Sequence, residues 1–191
     1  MKLLFAILGL GLLCLGCEPV EDFQRNQYAV QGNAFSLRQY PEWVELEAAQ
    51  LPWGKAFEGM NPERQGFITS YFRDTMGLSM RSTQIRVEYF SRGLPNCSNN
   101  DSVSMYIEKI MKQKFGGLET FRDTAAFVTK SDAPVAYVEA TSPLNQIWFA
   151  WAYIPAGPYY IAFNLSTFTE NEFTLMRDKF KALVASYQEV E

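Results

Sequence analysis

Three cysteines, 21 acidic residues and no histidine make up the reactive inventory of this 191-residue chain. Without histidine, the commonest general base, the Ser-His and Cys-His nucleophile pairs and the usual zinc ligand are missing. The sequence has no Gly-x-Ser-x-Gly elbow, no Ser-x-x-Lys dyad and no glycine-rich phosphate loop. Cys97 sits in the polar loop Leu94 to Asn100, just ahead of a helix start, where the helix dipole could hold a thiolate. An inert thiol tucked into the fold is the simpler expectation. Asn99, Asn100 and Asp101 could contribute oxygens to a Ca²⁺ site, but the spaced acidic ligands of a calcium loop are missing, and a solvated helix cap accounts for them. Glu45 and Glu47 lie two apart on a presumed strand, hence on one face, expected to be the solvent side. Glu170 and Glu172 are explained by the positive end of a helix. No catalytic residue, metal site or cofactor is therefore predicted, and the chain is expected not to be an enzyme.

The other two cysteines, Cys14 and Cys17, end an apolar N-terminal run. Met1-Lys2 is followed by Leu3 to Leu15, almost wholly apolar, and then by Gly16-Cys17 and the acidic Glu18, Glu21 and Asp22. A charged start, a short apolar core and a small residue before the cut are the parts of a secretory signal. A membrane-crossing helix needs about 20 apolar residues, more than this run provides. Leu13 to Cys17 resembles the lipobox of bacterial lipoproteins, with Cys14 standing where that motif usually has leucine. The resemblance implies acylation of the Cys17 thiol, with palmitate among the chains, and removal of residues 1–16. Each buried CH₂ adds about 0.8 kcal/mol of membrane affinity, so two or more chains anchor stably. Glu18, where Asp would resemble an inner-membrane retention signal, favours the outer membrane with the domain facing the periplasm. With Cys14 removed and Cys17 acylated, Cys97 is left without an intramolecular disulfide partner.

The balance of 17 basic to 21 acidic residues, net −4, contains no basic block, so nucleic acid is not an expected partner. Residues 17–32 are polar and weakly periodic and read as a lipidated tether, leaving 33–191 as a single globular domain. Asn33 to Leu37, Trp43 to Glu47 and Ile85 to Phe90 have strand character. Asn61-Pro62 is a plausible helix start, and Phe67, Ile68, Tyr71, Phe72 and Met76 follow at helical spacing, although Gly66 keeps a β-hairpin open. A second helix begins at Asp101 or Ser102, with Val103, Tyr106, Ile107, Ile110, Met111 and Phe115 on one face, and Gly116-Gly117 stops it.

The C-terminal half is the most regular. Val135 to Thr141, Gln146 to Ile154 and Tyr159 to Ser166 are apolar runs separated by Pro-containing turns, which predicts an antiparallel meander, with Ala125 to Thr129 as a possible strand before it. Ile147, Phe149, Trp151 and Tyr153 share one face and Ala150, Ala152 and Ile154 the other, so both faces are expected to be covered. Thr169 with Glu172 forms a capping box, and Phe173, Met176, Phe180, Leu183, Val184 and Tyr187 give the closing helix its buried stripe. The fold class is thus α+β, an antiparallel sheet flanked by helices. Phe35 through Tyr40-Pro41-Glu42-Trp43, Ala136 to Glu139, Tyr159 to Phe163 and Phe180 to Tyr187 resemble the opening and closing elements of the PsbP-like group. That group includes a yeast Ran-release factor and DcrB-type lipoproteins, and the resemblance implies an α/β/α sandwich without a shared catalytic motif.

Trp and Tyr are enriched in binding hot spots. Trp148 opposes Phe149 and Trp151 across the presumed sheet and needs separate cover; with Trp53 and Cys97 it is a candidate contact for a protein partner. The expected function is a lipid-anchored periplasmic binding or adaptor protein. An immunity or inhibitor protein acting on a periplasmic toxin is the alternative, and a thiol or carboxylate enzyme the rival from another class.

Overall fold

The computed structural model describes residues 24–58, 60–91, 100–115, 119–122 and 127–190. Cys14, Cys17, Cys97, Gly116-Gly117 and the first residues of the expected Ala125–Thr129 strand lie outside them. Ten strands and two α-helices are described: β1 (Arg25–Val30), β2 (Asn33–Arg38), β3 (Val44–Leu46), β4 (Gln65–Phe72), β5 (Gln84–Ser91), α1 (Asn100–Phe115), β6 (Glu119–Arg122), β7 (Ala136–Ser142), β8 (Ile147–Ala156), β9 (Tyr159–Thr167), α2 (Glu170–Ala185) and β10 (Gln188–Val190). Strands β3-β4-β5-β9-β8-β7-β6 form one sheet in that order, antiparallel at every step. The architecture is the expected α+β one.

Chain order dictates which faces are covered. β5 lies beside β9, whereas β6 lies at the far edge, so the connection carrying α1 must cross β9, β8 and β7. Tyr106 and Met111 of α1 pack on Ala136, Val138, Phe149 and Trp151. α2 runs over the opposite face, where Phe173, Met176, Phe180, Leu183 and Val184 join Ala150, Ala152, Ile154 and the alternate residues of β5 and β9. This buried stripe is the one the sequence predicts. Its cap is half as predicted: Thr169 Oγ1 accepts from the Glu172 amide at 3.2 Å, while the Glu172 carboxylate accepts instead from Thr83 Oγ1 at 3.0 Å.

Two expectations change. Residues 25–30, read from sequence as tether, form β1, paired along its length with β2 through a Gln31-Gly32 turn, both residues at positive φ. Folded structure therefore begins ahead of residue 33. Arg25 fixes this start by donating to Ser36 Oγ at 2.9 Å and to the Ser186 carbonyl at 2.6 Å, and β10 pairs on the other edge of β2. The second change concerns the stretch read as a helix from Asn61: Phe67, Ile68, Tyr71 and Phe72 lie on strand β4, and Met76 is exposed beyond its end. Its register with β5 shifts between Phe67 and Thr69, making Ile68 the extra residue of a bulge. That insertion breaks the two-residue alternation and leaves Phe67, Ile68, Tyr71 and Phe72 at a spacing that mimics a helix. Gly66 belongs to the strand for a steric reason: a Cβ there would fall 2.4 Å from the ring of Tyr89.

Candidate binding recess

Among the described residues, the sheet face beneath α1 is only partly roofed. α1 covers its β7–β8 side, and the segment from Ala48 to Phe57 covers the β4 side, with Trp53 edge-on to Phe72 at 6.1 Å and Phe57 stacked on Phe67 at 4.6 Å. A half-open cavity of about 1030 Å³ lies between these covers, over β5, β9 and β8. It is at the upper end of the size range of small-molecule pockets, about 300–1,000 Å³.

Register builds its floor. Gln84 pairs with Ser166, and Ser166 with Phe149; Arg86 pairs with Asn164, and Asn164 with Trp151; Glu88 pairs with Ala162, and Ala162 with Tyr153. Side chains directly opposite one another point to the same face. Crossing from β5 to β8, the floor therefore changes from amide and guanidinium groups to a row of aromatic rings. Phe149 and Trp151 are stacked, with centroids 4.9 Å apart, and Phe90 meets Tyr153 edge-on at 5.3 Å. Tyr106, Ile110 and Met111 of α1 form the apolar roof.

The polar side is underused by the protein itself. Arg86 Nε lies 3.1 Å from Glu88 Oε1, an ion pair whose angle is not that of a hydrogen bond, and Arg86 has no other polar partner among the described residues. Gln84 is 7% exposed, and its Oε1 has no hydrogen-bond partner among the described residues. Arg64 lines the cavity as well, whereas Glu88, on the same face beside Arg86, is its nearest acidic neighbour among the described residues and does not itself line it. Such a floor can hold a guest with a polar head and an apolar body.

The residues singled out from sequence fall in different places. Trp53 lines the recess, half-buried. Trp148 lies on the other face, half-buried against the core under α2, so at least part of the cover it needs comes from this chain. Trp43 and Tyr160 are buried, Trp43 between the rings of Tyr40 and Tyr71 at 5.1 and 6.0 Å. Cys97 and Cys17 are outside the described residues. Gln84, Arg86 and Asn164 were not singled out from sequence. The polar positions that alternate along β5 were a signal, but what faces them is fixed by the distant strand β9.

Glu45 is not on the solvent side. Its carboxylate accepts from Tyr28 OH at 2.6 Å, from Thr69 Oγ1 at 2.8 Å and from Asn26 Nδ2, and Tyr28 OH also contacts Tyr71 OH. Each phenol has one hydrogen, so the order is forced: Tyr71 donates to Tyr28, and Tyr28 donates to Glu45. Burial, with the neighbouring Tyr71 and Glu45, pushes the Tyr28 phenol far above its ordinary value of 10. Burial and the Glu45 charge raise Tyr71. The cluster joins β1 to β3 and β4 on the α2 face, away from the recess. Glu47 is exposed.

No protein-family model matches the sequence, and no curated protein does. Among solved structures, the chain is similar to cyanobacterial PsbP (CyanoP) from Synechocystis sp. PCC 6803, with a TM-score of 0.55 and 12% identity over 92% of this chain and 98% of that one. It is similar to the same degree, TM-score 0.55, to LpqN of Mycobacterium tuberculosis, at 9% identity over 89% of this chain and 92% of that one. The yeast Ran-binding protein Mog1p aligns with a TM-score of 0.49 at 8% identity over 88% of this chain and 97% of that one. The fold is therefore PsbP-like, and identities this low show the fold alone.

Proposed function

We propose that this chain is a non-enzymatic binding module of the bacterial cell envelope. It is held by lipid on Cys17 at the outer membrane, with the domain in the periplasm. The observation that carries the reading is the recess: a cavity whose floor grades from the ion-paired Arg86 and the amides of Asn164 and Gln84 to stacked aromatic rings supports the holding of a guest. The lipobox-like Leu13 to Cys17 supports the address, as does the description of LpqN as involved in cell envelope biogenesis. An adaptor of this kind also meets a protein partner, and the exposed Met80 beside the recess offers it adaptable apolar contact.

The test is fractionation of cells making the tagged full chain or its Cys17→Ala variant, followed by mass spectrometry of what co-purifies under mild extraction. The wild-type chain should incorporate labelled palmitate, sediment with membranes and carry a stoichiometric small molecule or protein. A Cys17→Ala chain that still labels and sediments refutes the anchor. A substrate turnover lost specifically in Cys97→Ser refutes the non-enzymatic role.

A further inference from the structure

We infer that the recess selects an amphiphile with one anionic oxyacid head, a carboxylate or a phosphate monoester, seated at Arg86 and Asn164 with its apolar body on Phe149 and Trp151. This rests on the binding-module reading above and adds the ligand class. The sign of the head follows from the lining. Arg64 and Arg86 are its charged residues among those described, in a chain of net charge −4. Glu88 meets Arg86 at Nε, 3.1 Å away, and the two terminal nitrogens of a guanidinium match an oxyacid in a bidentate fork. Asn164 stands directly opposite Arg86 on β9 and brings an amide donor to the same place. A cationic head would meet two guanidiniums, and a neutral one would bury the terminal nitrogens of Arg86 with Glu88, on its Nε side, as the counter-charge and no anionic acceptor for the fork.

The apolar body follows from the next strand. Asn164 also stands opposite Trp151, so the row runs from cation through amide to indole across two strand spacings, about 10 Å in all. An extended octyl chain spans that distance. The Phe149–Trp151 stack beside it is already ordered and largely covered by Tyr106 and Met111 of α1, with Trp151 only 2% exposed, so the guest's apolar body meets the edge of the stack at the cavity wall. A small inorganic anion would use the first half of this row and leave the second half empty.

The four tryptophans divide by face, which supplies the readout. Trp53 and Trp151 line the recess, whereas Trp43 and Trp148 belong to the core on the other side. The full acylated chain, labelled with 5-fluorotryptophan and held in lipid nanodiscs, is titrated with octyl phosphate, octanoate, octyl glucoside, octyltrimethylammonium, inorganic phosphate and acetate. Empty nanodiscs correct for partitioning. Octyl phosphate or octanoate should shift the Trp53 and Trp151 fluorine resonances saturably, leave Trp43 and Trp148 in place, and bind at least ten-fold more tightly than the glucoside or the ammonium. The tighter of the two identifies the head as phosphoryl or carboxyl. Arg86→Gln should remove that ten-fold preference, with Trp43 and Trp148 reporting an intact fold. Should Arg86→Gln unfold, Asn164→Asp, which sets a carboxylate beside Arg86, should produce the same loss. Equal binding of octyl glucoside would overturn the anionic head and leave the binding module standing. Equal binding of inorganic phosphate or acetate would overturn the apolar body. No shift with any probe would overturn the ligand class, while the co-purification experiment decides the module separately.

Discussion

Truncating Glu45 tests whether the first ordered strand is clamped by a buried polar cluster. In Glu45→Ala, three donors lose the carboxylate at once, Asn26 Nδ2, Tyr28 OH and Thr69 Oγ1, the last keeping only its longer 3.4 Å contact to the Leu46 carbonyl. Thr69 is 1% exposed and Tyr71 behind it 4%, so water cannot readily replace the carboxylate for that part of the cluster. Asn26 and Tyr28 are half-buried and can recover some hydration. An orphaned buried donor costs about 1–3 kcal/mol, and a bond to a charged group contributes about 1.5–3 kcal/mol. Counting all three in part, Thr69 because the Leu46 carbonyl still accepts from it, gives a loss of about 2–4 kcal/mol. Glu45→Gln keeps the shape and one acceptor oxygen but removes the charge, and should lose about 1–2 kcal/mol. Urea denaturation followed by tryptophan emission measures both, because Trp43 lies 6.0 Å from Tyr71 and senses the cluster directly. Limited proteolysis supplies the local readout: β1 should be cut between Arg25 and Val30 in the alanine variant before the rest of the domain yields. A loss under about 1 kcal/mol for Glu45→Ala, or equal losses for Ala and Gln, would refute the charge-centred clamp.

Alkaline unfolding follows from the same cluster together with Tyr187, which burial, with a smaller contribution from Glu189, pushes up to about 12. A phenol with a raised folded-state pKa gives stability that is intact below pH 10 and is lost as pH rises from 10 through the folded value. Each such tyrosine contributes a slope of about 1.4 kcal/mol per pH unit; ultraviolet titration should show Tyr28, Tyr71 and Tyr187 ionising only as the fold opens, and three phenols titrating normally in folded protein would contradict the burial. Gly54→Ala should destabilise by roughly 2–4 kcal/mol, since its Cβ would fall 1.8 Å from the Ala48 carbonyl oxygen and force the backbone apart. The fluorine resonance of Trp53 should move in that variant even without ligand. Thr169→Ala should cost about 1 kcal/mol through loss of the α2 cap, measurable as a shift in the urea midpoint at unchanged slope.

Local signals carried the meander and α2. β7, β8 and β9 are bounded by Pro143 and by Gly157-Pro158, and α2 by Thr169, so each end is set by a residue acting on its own neighbours. β1 is not legible although Asn26, Tyr28 and Val30 alternate ahead of Gln31-Gly32, because Val30 is the one aliphatic residue on that face and the polar Asn26 and amphipathic Tyr28 resemble a solvated tether until the Glu45 they bind is known. β4 was misread for the opposite reason: a bulge gave a strand the spacing of a helix.

The recess shows where sequence periodicity runs out. Alternation along β8 correctly says that Phe149, Trp151 and Tyr153 need cover, and the bulk of those rings suggests a filled core. What limits the cover is the neighbour two strands away. Arg86 and Gln84 on β5 reach the same face only because β5 pairs with β9, which follows it by more than sixty residues, in the one register that sets Asn164 between Arg86 and Trp151. A guanidinium and an unpartnered amide cannot be roofed by an apolar helix without a desolvation cost. α1 therefore packs over the aromatic side, the Ala48 to Phe57 segment packs over β4, and among the described residues the row of Arg86 and Asn164 between them keeps part of its surface exposed. On this account, replacing the polar floor should close the recess. Arg86→Leu combined with Gln84→Leu should raise the urea midpoint while abolishing the guest-dependent shift of Trp151. A double variant that is less stable than wild type would mean that the polar floor supports the fold rather than keeping it open.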